Sequence, residues 1–343
     1  MLGAVFSGKK TVELLEFEDP TPSENDVIIE MKASGICGSD LKNYRGTFKG
    51  KLPPGPIIAG HEPCGVVVAV GSAVRSPVAA IGSRVMVHHY KGCGCCHDCM
   101  TGWTQMCSDR EASYGLTAHG GHAKYLKVPE STLIRLPDEL SFEAGATISC
   151  GTGTAWNALR RVGFMGGSTV LVVGQGPVGL AVTQFAAAQG GTVIVVDINN
   201  ERLKDSLDFG ATHTINSSEV DTLEAVNELT SGSGVSYVVE TSGSDGGAYD
   251  AVRCASKWGT VAFVGMGGNL NINVTDHLVR KQLNLKGLWT FSKADLAMCA
   301  EYVAQNKIDV AKVFSHRWRL EQVDEAYRLF DNQQCRKAVV VFD

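Results

Sequence analysis

Residues 168–197 read STVLVVGQGPVGLAVTQFAAAQGGTVIVVD. The apolar, β-branched run at 168–174 has the length and character of a strand buried on both faces. Gly174-Gln175-Gly176-Pro177-Val178-Gly179 follows, and the residues from Pro177 to Gly190 read as a helix with Pro at its start and Gly at its end. A second strand, 192–197, ends in Asp197. Glycine spacing alone is a weak signal, but strand, turn, helix and acidic strand end occur here in sequence and predict a dinucleotide site. Gly174 permits the tight turn, Gly176 lets backbone approach a pyrophosphate at the helix N-terminus, and Gly179 allows close helix–sheet contact. Asp197 would accept hydrogen bonds from a ribose diol and repel a 2′-phosphate, so NAD is expected in preference to NADP. The competing reading is an ordinary strand–helix turn with a surface Asp197. Arg202 would soften the NAD preference if it faced the ribose; a helix-surface position is its more ordinary role.

Outward from this stretch, the pattern repeats. A helix at 200–210 is followed by strands at 212–216, 235–240, 260–265 and 283–289, mostly with helical segments between them. Six strands alternating with helices predict a doubly wound parallel sheet, because parallel strands need crossover connections. This domain is placed at 152–290. The first 150 residues read differently, as short strands and turns: VELLEF, DVIIEMKASGI, CGVVVAVG, RVMVHH and HAKYLKVP. The tail from 291 carries two helical patterns and a last strand, KAVVVFD, and is assigned back to the first domain, giving 1–151 with 291–343.

A length of 343 residues favours two domains. Hydrophobic content of 44% and charged content of 20% describe a globular chain, and no apolar run reaches the length of a membrane span. The first residues lack the features of a signal peptide. A net charge of −5 argues against nucleic acid or an anionic membrane as partner. Eleven cysteines in a chain of this length fit metal-binding cytoplasmic thiols better than a secreted disulfide framework.

Four of those cysteines cluster. Cys93, Cys96, Cys99 and Cys107 have the spacing C-x2-C-x2-C-x7-C, inside a lobe at about 91–108. Four thiolates close a tetrahedral shell around zinc, which makes this a structural site with no position left for substrate. A second set is dispersed: Cys37 in CGSD, His61 in GHE and Cys150 in SCGTGTAW. Brought together, they would form a Cys2His zinc site with an open fourth position, suited to holding an alcohol as an alkoxide ready to lose hydride. Taken singly, Cys37 and Cys150 read more readily as core thiols than as ligands. Cys95 is surplus to the lobe's spacing, and Cys254 and Cys299 fall in helical patterns as core thiols.

CGSD, GHEPCGVVVAVGSAV, the four-cysteine lobe, GGHAKYLKVP, SCGTGTAW and GQGPVG stand in an order that resembles the zinc-dependent medium-chain dehydrogenase/reductase family over essentially the whole chain. The resemblance implies an α/β protein with a GroES-like β-rich catalytic domain, built from both chain ends, and an inserted Rossmann domain. It implies one catalytic and one structural zinc per chain, NAD as cofactor, a small alcohol or carbonyl substrate, and a homodimer or homotetramer. It makes Cys37, His61 and Cys150 catalytic zinc ligands and Glu62 an acidic neighbour that approaches or ligates the metal. Ser39 would take the substrate proton, Asp40 would orient His61, and Thr154 would line the nicotinamide. Tyr114, Trp289 and Phe291 match pocket-wall positions, while His88, His89, His119 and His122 serve either the cleft or local packing.

Two positions depart from the family pattern. Related polyol and threonine dehydrogenases often carry glutamate where Cys150 stands, which pulls the substrate toward simple or secondary alcohols, whereas CGSD leans toward polyols. Lys42 replaces a histidine that often ends the proton relay. The expected activity is NAD-dependent oxidation of a secondary alcohol, polyol or hydroxy-amino acid. The alternatives are an NADH-consuming carbonyl reductase and a non-catalytic zinc protein; the four-cysteine lobe disfavours a metal-free quinone reductase.

Overall fold

The computed structural model describes residues 1–50 and 52–343. They form two compact units, Met1–Gly153 with Phe291–Asp343, and Thr154–Thr290.

The first unit is built on a seven-stranded sheet. Its order is His316–Trp318, Ala338–Val341, Asp26–Ile36, Glu62–Val70, Arg84–Val87 and Leu133–Arg135, and Tyr125–Pro129 also pairs with Asp26–Ile36. The long strand Asp26–Ile36 receives three partners because bulges at Ile28/Ile29 and Met31/Ala33 let it bend. Its inward residues Val27, Ile29 and Met31 pack with Val67, Val85, Leu126 and Val128 in a fully buried cluster. The chain's end contributes directly: Ala338–Val341 lies antiparallel to Ala33–Ile36. The helix Val323–Asp331 covers that corner through Val323, Ala326, Tyr327 and Phe330, packed on Ala4, Ile36 and Tyr44. The short hairpin pairs Leu2–Phe6 with Val12–Glu16; the second of these is the strand read from VELLEF, whereas the first is not singled out by the sequence pattern.

The second unit is a six-stranded, all-parallel sheet. Its order is His213–Asn216, Thr192–Asp197, Thr169–Val173, Val235–Glu240, Ala255–Phe263 and Asn284–Gly287. The chain leaves Thr169–Val173 toward one edge and returns to its other side, so the order reverses there, the usual place for a ligand crevice in such sheets. Helices Pro177–Ala188, Asn200–Asp208, Thr222–Leu229 and Asp245–Arg253 make the crossovers. The fifth strand begins at Ala255, earlier than the apolar run 260–265 suggests, because an irregularity at Val235/Tyr237 and a left-handed Trp258 (φ 66°) interrupt its alternation.

Candidate active site and metal centres

Strand pairing builds the first centre. Gly35 sits opposite Glu62 in the antiparallel ladder, so Cys37, just after one strand, and His61, just before the other, emerge side by side. Cys150 arrives from Ile148–Thr152, a five-residue π-helical stretch between two α-helical ones. Such wide turns are rare and concentrate at functional sites. One donor atom each from Cys37, His61, Glu62 and Cys150 lies within 4.8 Å of the others. The Cys37 and Cys150 sulfurs are 3.9 Å apart. A disulfide requires about 2.05 Å, whereas two thiolates on one tetrahedral zinc, each at about 2.3 Å, stand about 3.8 Å apart. The donor set and its spacing therefore fit zinc.

Hydrogen bonds set the polarity of the cluster. Asp40 is buried and accepts from His61 Nδ1 at 2.7 Å and from the Cys37 backbone N–H at 2.9 Å. A carboxylate can only accept, so the His61 proton sits on Nδ1 and the Nε2 lone pair is left for a metal. Burial disfavours charge on His61, but Asp40 outweighs it and makes the ring more basic. The Ser39 hydroxyl lies 3.4 Å from that Nε2. The Cys150 thiol donates to Cys37, which holds the Cys37 pKa well below its usual value against the effect of burial; Cys150 itself is pushed well up.

Glu62 is fully buried, and burial raises its pKa to about 7 against the opposing charge of Lys337. Its Oε1 accepts from Lys337 Nζ at 2.7 Å, while Oε2 is buried without a partner among the described residues. Gly35 makes room for it: a Cβ there would stand 1.9 Å from Oε2. Lys337 also donates to the Ile36 carbonyl at 3.0 Å. Sequence reasoning missed Lys337, although a lysine opening the apolar run KAVVVFD was a visible irregularity.

The neighbouring side chains fall into two groups. His88 is buried and held by the Phe291 carbonyl (3.3 Å) and Thr104 (3.2 Å), a packing role. His119 accepts from the Ile58 N–H, and Tyr114 and Phe291 are buried. His89, in contrast, lies with its ring centroid 5.0 Å from that of His61, tilted at 60°, and its Nδ1 is buried with no partner among the described residues. Lys42 is exposed on the surface.

The second centre is the lobe. Sulfur atoms of Cys93, Cys96, Cys99 and Cys107 lie within 4.8 Å of one another. The Cys96 N–H points at Cys93 Sγ and the Cys93 N–H at Cys107 Sγ, both at 3.4 Å. Backbone N–H groups of Cys95 and Cys96 lower the Cys93 pKa to about 6, which favours the thiolate a metal needs. Gly92 leaves space for Cys99, whose sulfur would be 2.3 Å from a Cβ at that position. Cys95 is exposed, its sulfur 3.6 Å from Cys93.

In the second unit, the glycine turn follows Val173. Gly174 has φ +89° and abuts Ser242, and a Cβ on Gly179 would lie 1.9 Å from the Gly174 carbonyl oxygen. At Gly176, the N-cap of the helix that opens with Pro177 and Val178, a Cβ would meet no atom within 4 Å. Asp197 caps the turn: its carboxylate accepts from the N–H groups of Gln175 (2.6 Å), Ile198 (2.8 Å) and Asn199 (3.0 Å). Arg202 turns toward it, 3.9 Å away. Thr154 is buried in the helix Gly153–Val162.

Known proteins resolve what this assembly is. The sequence model of the alcohol dehydrogenase GroES-like domain matches residues 23–138, and that of the zinc-binding dehydrogenase matches 177–305. An uncharacterized zinc-type alcohol dehydrogenase-like protein of Escherichia coli K12 is 38% identical over 100% of this chain and 99% of its own. The chain belongs to the zinc-dependent medium-chain dehydrogenases. Sorbitol dehydrogenase of Bacillus subtilis is 30% identical over 99% of this dehydrogenase and 97% of its own length. An alcohol dehydrogenase from Escherichia coli CFT073, solved with NADH, superposes with a TM-score of 0.90 at 28% identity, covering 100% of this chain and 99% of that one. This dehydrogenase is thus an oxidoreductase acting on CH–OH groups, in a family that uses zinc and NAD(H). Among the described residues no helix is long and apolar enough to cross a membrane.

Proposed function

We propose that the chain is an NAD-dependent zinc alcohol dehydrogenase that oxidises a secondary alcohol, a polyol or a hydroxy-amino acid. The observation that carries this is the convergence of Cys37, His61, Glu62 and Cys150 on one point, with the Ser39 hydroxyl 3.4 Å from His61 Nε2. Cys37, His61 and Cys150 would hold a catalytic zinc, with Glu62 beside it, and the four lobe cysteines would hold a structural one. Zinc bound there supplies Lewis acidity, which lowers the pKa of an alcohol toward neutrality.

The chain's own residues do the rest. Asp40 keeps His61 in its Nδ1–H tautomer, and Ser39 would accept the substrate hydroxyl proton while giving its own toward the nicotinamide ribose and from there to solvent. Gly174, Gly176, Pro177, Val178 and Gly179 would cradle the pyrophosphate of NAD, Asp197 would bind the adenosine ribose, and Thr154 would line the nicotinamide, a hydride acceptor when bound. Arg202 remains engaged with Asp197, which keeps the carboxylate partly neutralised. Asp197 still disfavours a 2′-phosphate, so NAD is used in preference to NADP. The edge strand Asn284–Gly287 is the face through which two copies would pair as a dimer or as half of a tetramer.

The test is the initial rate of NAD+ reduction by zinc-replete protein over primary alcohols, secondary alcohols, polyols and threonine. Turnover of secondary alcohols, polyols or threonine supports the reading. Preference for primary alcohols, or no turnover across the panel, refutes it.

A further inference from the structure

We propose that Tyr327 and His122 are positioning residues for the metal centre, completing the hydrogen bonding of Asp40 and thereby fixing the His61 ring. The inference rests on Cys37, His61 and Cys150 being metal donors, and it concerns two side chains outside that set. Tyr327 Oη lies 3.3 Å from Asp40 Oδ2, and His122 Nε2 lies 2.9 Å from the same hydroxyl.

The proton positions follow from acceptor chemistry. Asp40 already receives the His61 proton at Oδ1 and the Cys37 N–H at Oδ2. Tyr327 has a single hydroxyl proton, so facing a carboxylate it must donate it there. The hydroxyl oxygen then accepts, and His122 must supply the proton from Nε2. That leaves Nδ1 of His122 as a lone pair, and Nδ1 is indeed buried with no partner among the described residues. A charged His122 would place a donor at that position, and burial lowers its pKa to about 4, which keeps it neutral. The result is one continuous line of donors, His122 to Tyr327 to Asp40, meeting the donation from His61 at the same carboxylate.

Packing holds the line still. The Tyr327 ring is fully buried, edge-on to Phe6 (5.0 Å) and stacked on Tyr44 (5.6 Å). His122 is seated against the backbone of Gly60, the residue before His61; a Cβ on Gly60 would stand 2.5 Å from His122 Nδ1. Both side chains belong to the first unit, Tyr327 on Val323–Asp331 and His122 just ahead of Tyr125–Pro129. Carboxylates that orient a metal-bound histidine control metal affinity by about 10–100-fold, and here the carboxylate is itself oriented.

Release of zinc to a chelating indicator tests the inference, with wild type, Tyr327→Phe and His122→Gln each loaded with zinc. The wild type is expected to release two ions in separable phases, one from each centre. Tyr327→Phe should speed one phase by about tenfold and leave the other, that of the four-cysteine lobe, unchanged. His122→Gln, which keeps an N–H donor, should lie between the two. Identical release from wild type and Tyr327→Phe overturns the inference, as does equal acceleration of both phases, which would mean general destabilisation. Release of only one ion by the wild type overturns the metal reading itself and the inference with it.

Discussion

Two glycines in one turn separate a cofactor cradle from an ordinary strand–helix connection. At Gly179 an alanine Cβ would lie 1.9 Å from the Gly174 carbonyl oxygen and 2.9 Å from Thr241 Oγ1. The first contact is backbone, so relief requires the helix and strand to part, an overpacking that costs about 1–3 kcal/mol. For a protein of this size that is roughly 2–10 °C in thermal midpoint. At Gly176 the same methyl meets nothing within 4 Å, and the backbone φ of −70° suits alanine. The only cost to the free protein is the weaker N-cap, about 0.5 kcal/mol. The empty space beside Gly176 is where the pyrophosphate is proposed to lie, so the methyl should raise the NADH dissociation constant by about tenfold or more, roughly 1.4 kcal/mol. Circular dichroism melts and fluorescence titration with NADH measure both quantities on both variants. Stability should fall chiefly in Gly179→Ala, whereas Gly176→Ala should lose NADH affinity with little change in melting. Unchanged NADH affinity in Gly176→Ala would refute the placement of the cofactor.

Other perturbations have equally specific outcomes. Lys337→Met leaves the buried Glu62 without its cation and should lower the unfolding free energy by about 3–5 kcal/mol in denaturant titrations, with partial recovery in the double variant carrying Glu62→Gln. His88 is held neutral in the fold, with its pKa lowered to about 4 by burial, while in the unfolded chain it titrates near 6.5. Unfolding therefore takes up a proton below pH 6.5, and stability should fall between pH 6.5 and 4 by about 3 kcal/mol from this residue; melts of His88→Gln should be less sensitive over that window. Asp197→Asn keeps an acceptor oxygen for the turn but removes the charge, so the kcat/KM ratio for NADP+ over NAD+ should rise by about tenfold in steady-state assays.

Much of the fold was readable because its signals are local. The strand Thr192–Asp197 and the helix Pro177–Ala188 follow from contiguous apolar runs bounded by Gly and Pro, and the spacing of the four lobe cysteines announces their meeting within one loop. What was not readable depends on pairing between distant segments. Cys37 and His61 meet because Gly35 lies opposite Glu62 in register, and Lys337 reaches Glu62 because Ala338 pairs with Ile36; no sequence window contains either relation. Cys150 sits in a π-helical stretch whose hydrogen bonding leaves no periodic trace. The Tyr327–His122–Asp40 line joins three segments: the family resemblance implies that Asp40 orients His61, His122 reads only as a cleft or packing residue, and nothing in the sequence singles out Tyr327. Asp197 was expected to face a ribose, and the structure shows its carboxylate already engaged by three backbone N–H groups, which makes it an organiser of the turn as well.

Zinc at the dispersed centre is what the proposed chemistry requires. Elemental analysis paired with NAD+ reduction, on wild type, Cys150→Ser and Cys99→Ser, tests that claim most directly. The wild type should hold about two zinc ions per chain, and Cys150→Ser should keep the lobe ion while losing the other together with turnover. Cys99→Ser should lose the lobe ion and stability instead. Full activity in a Cys150→Ser protein that retains wild-type zinc would contradict the account.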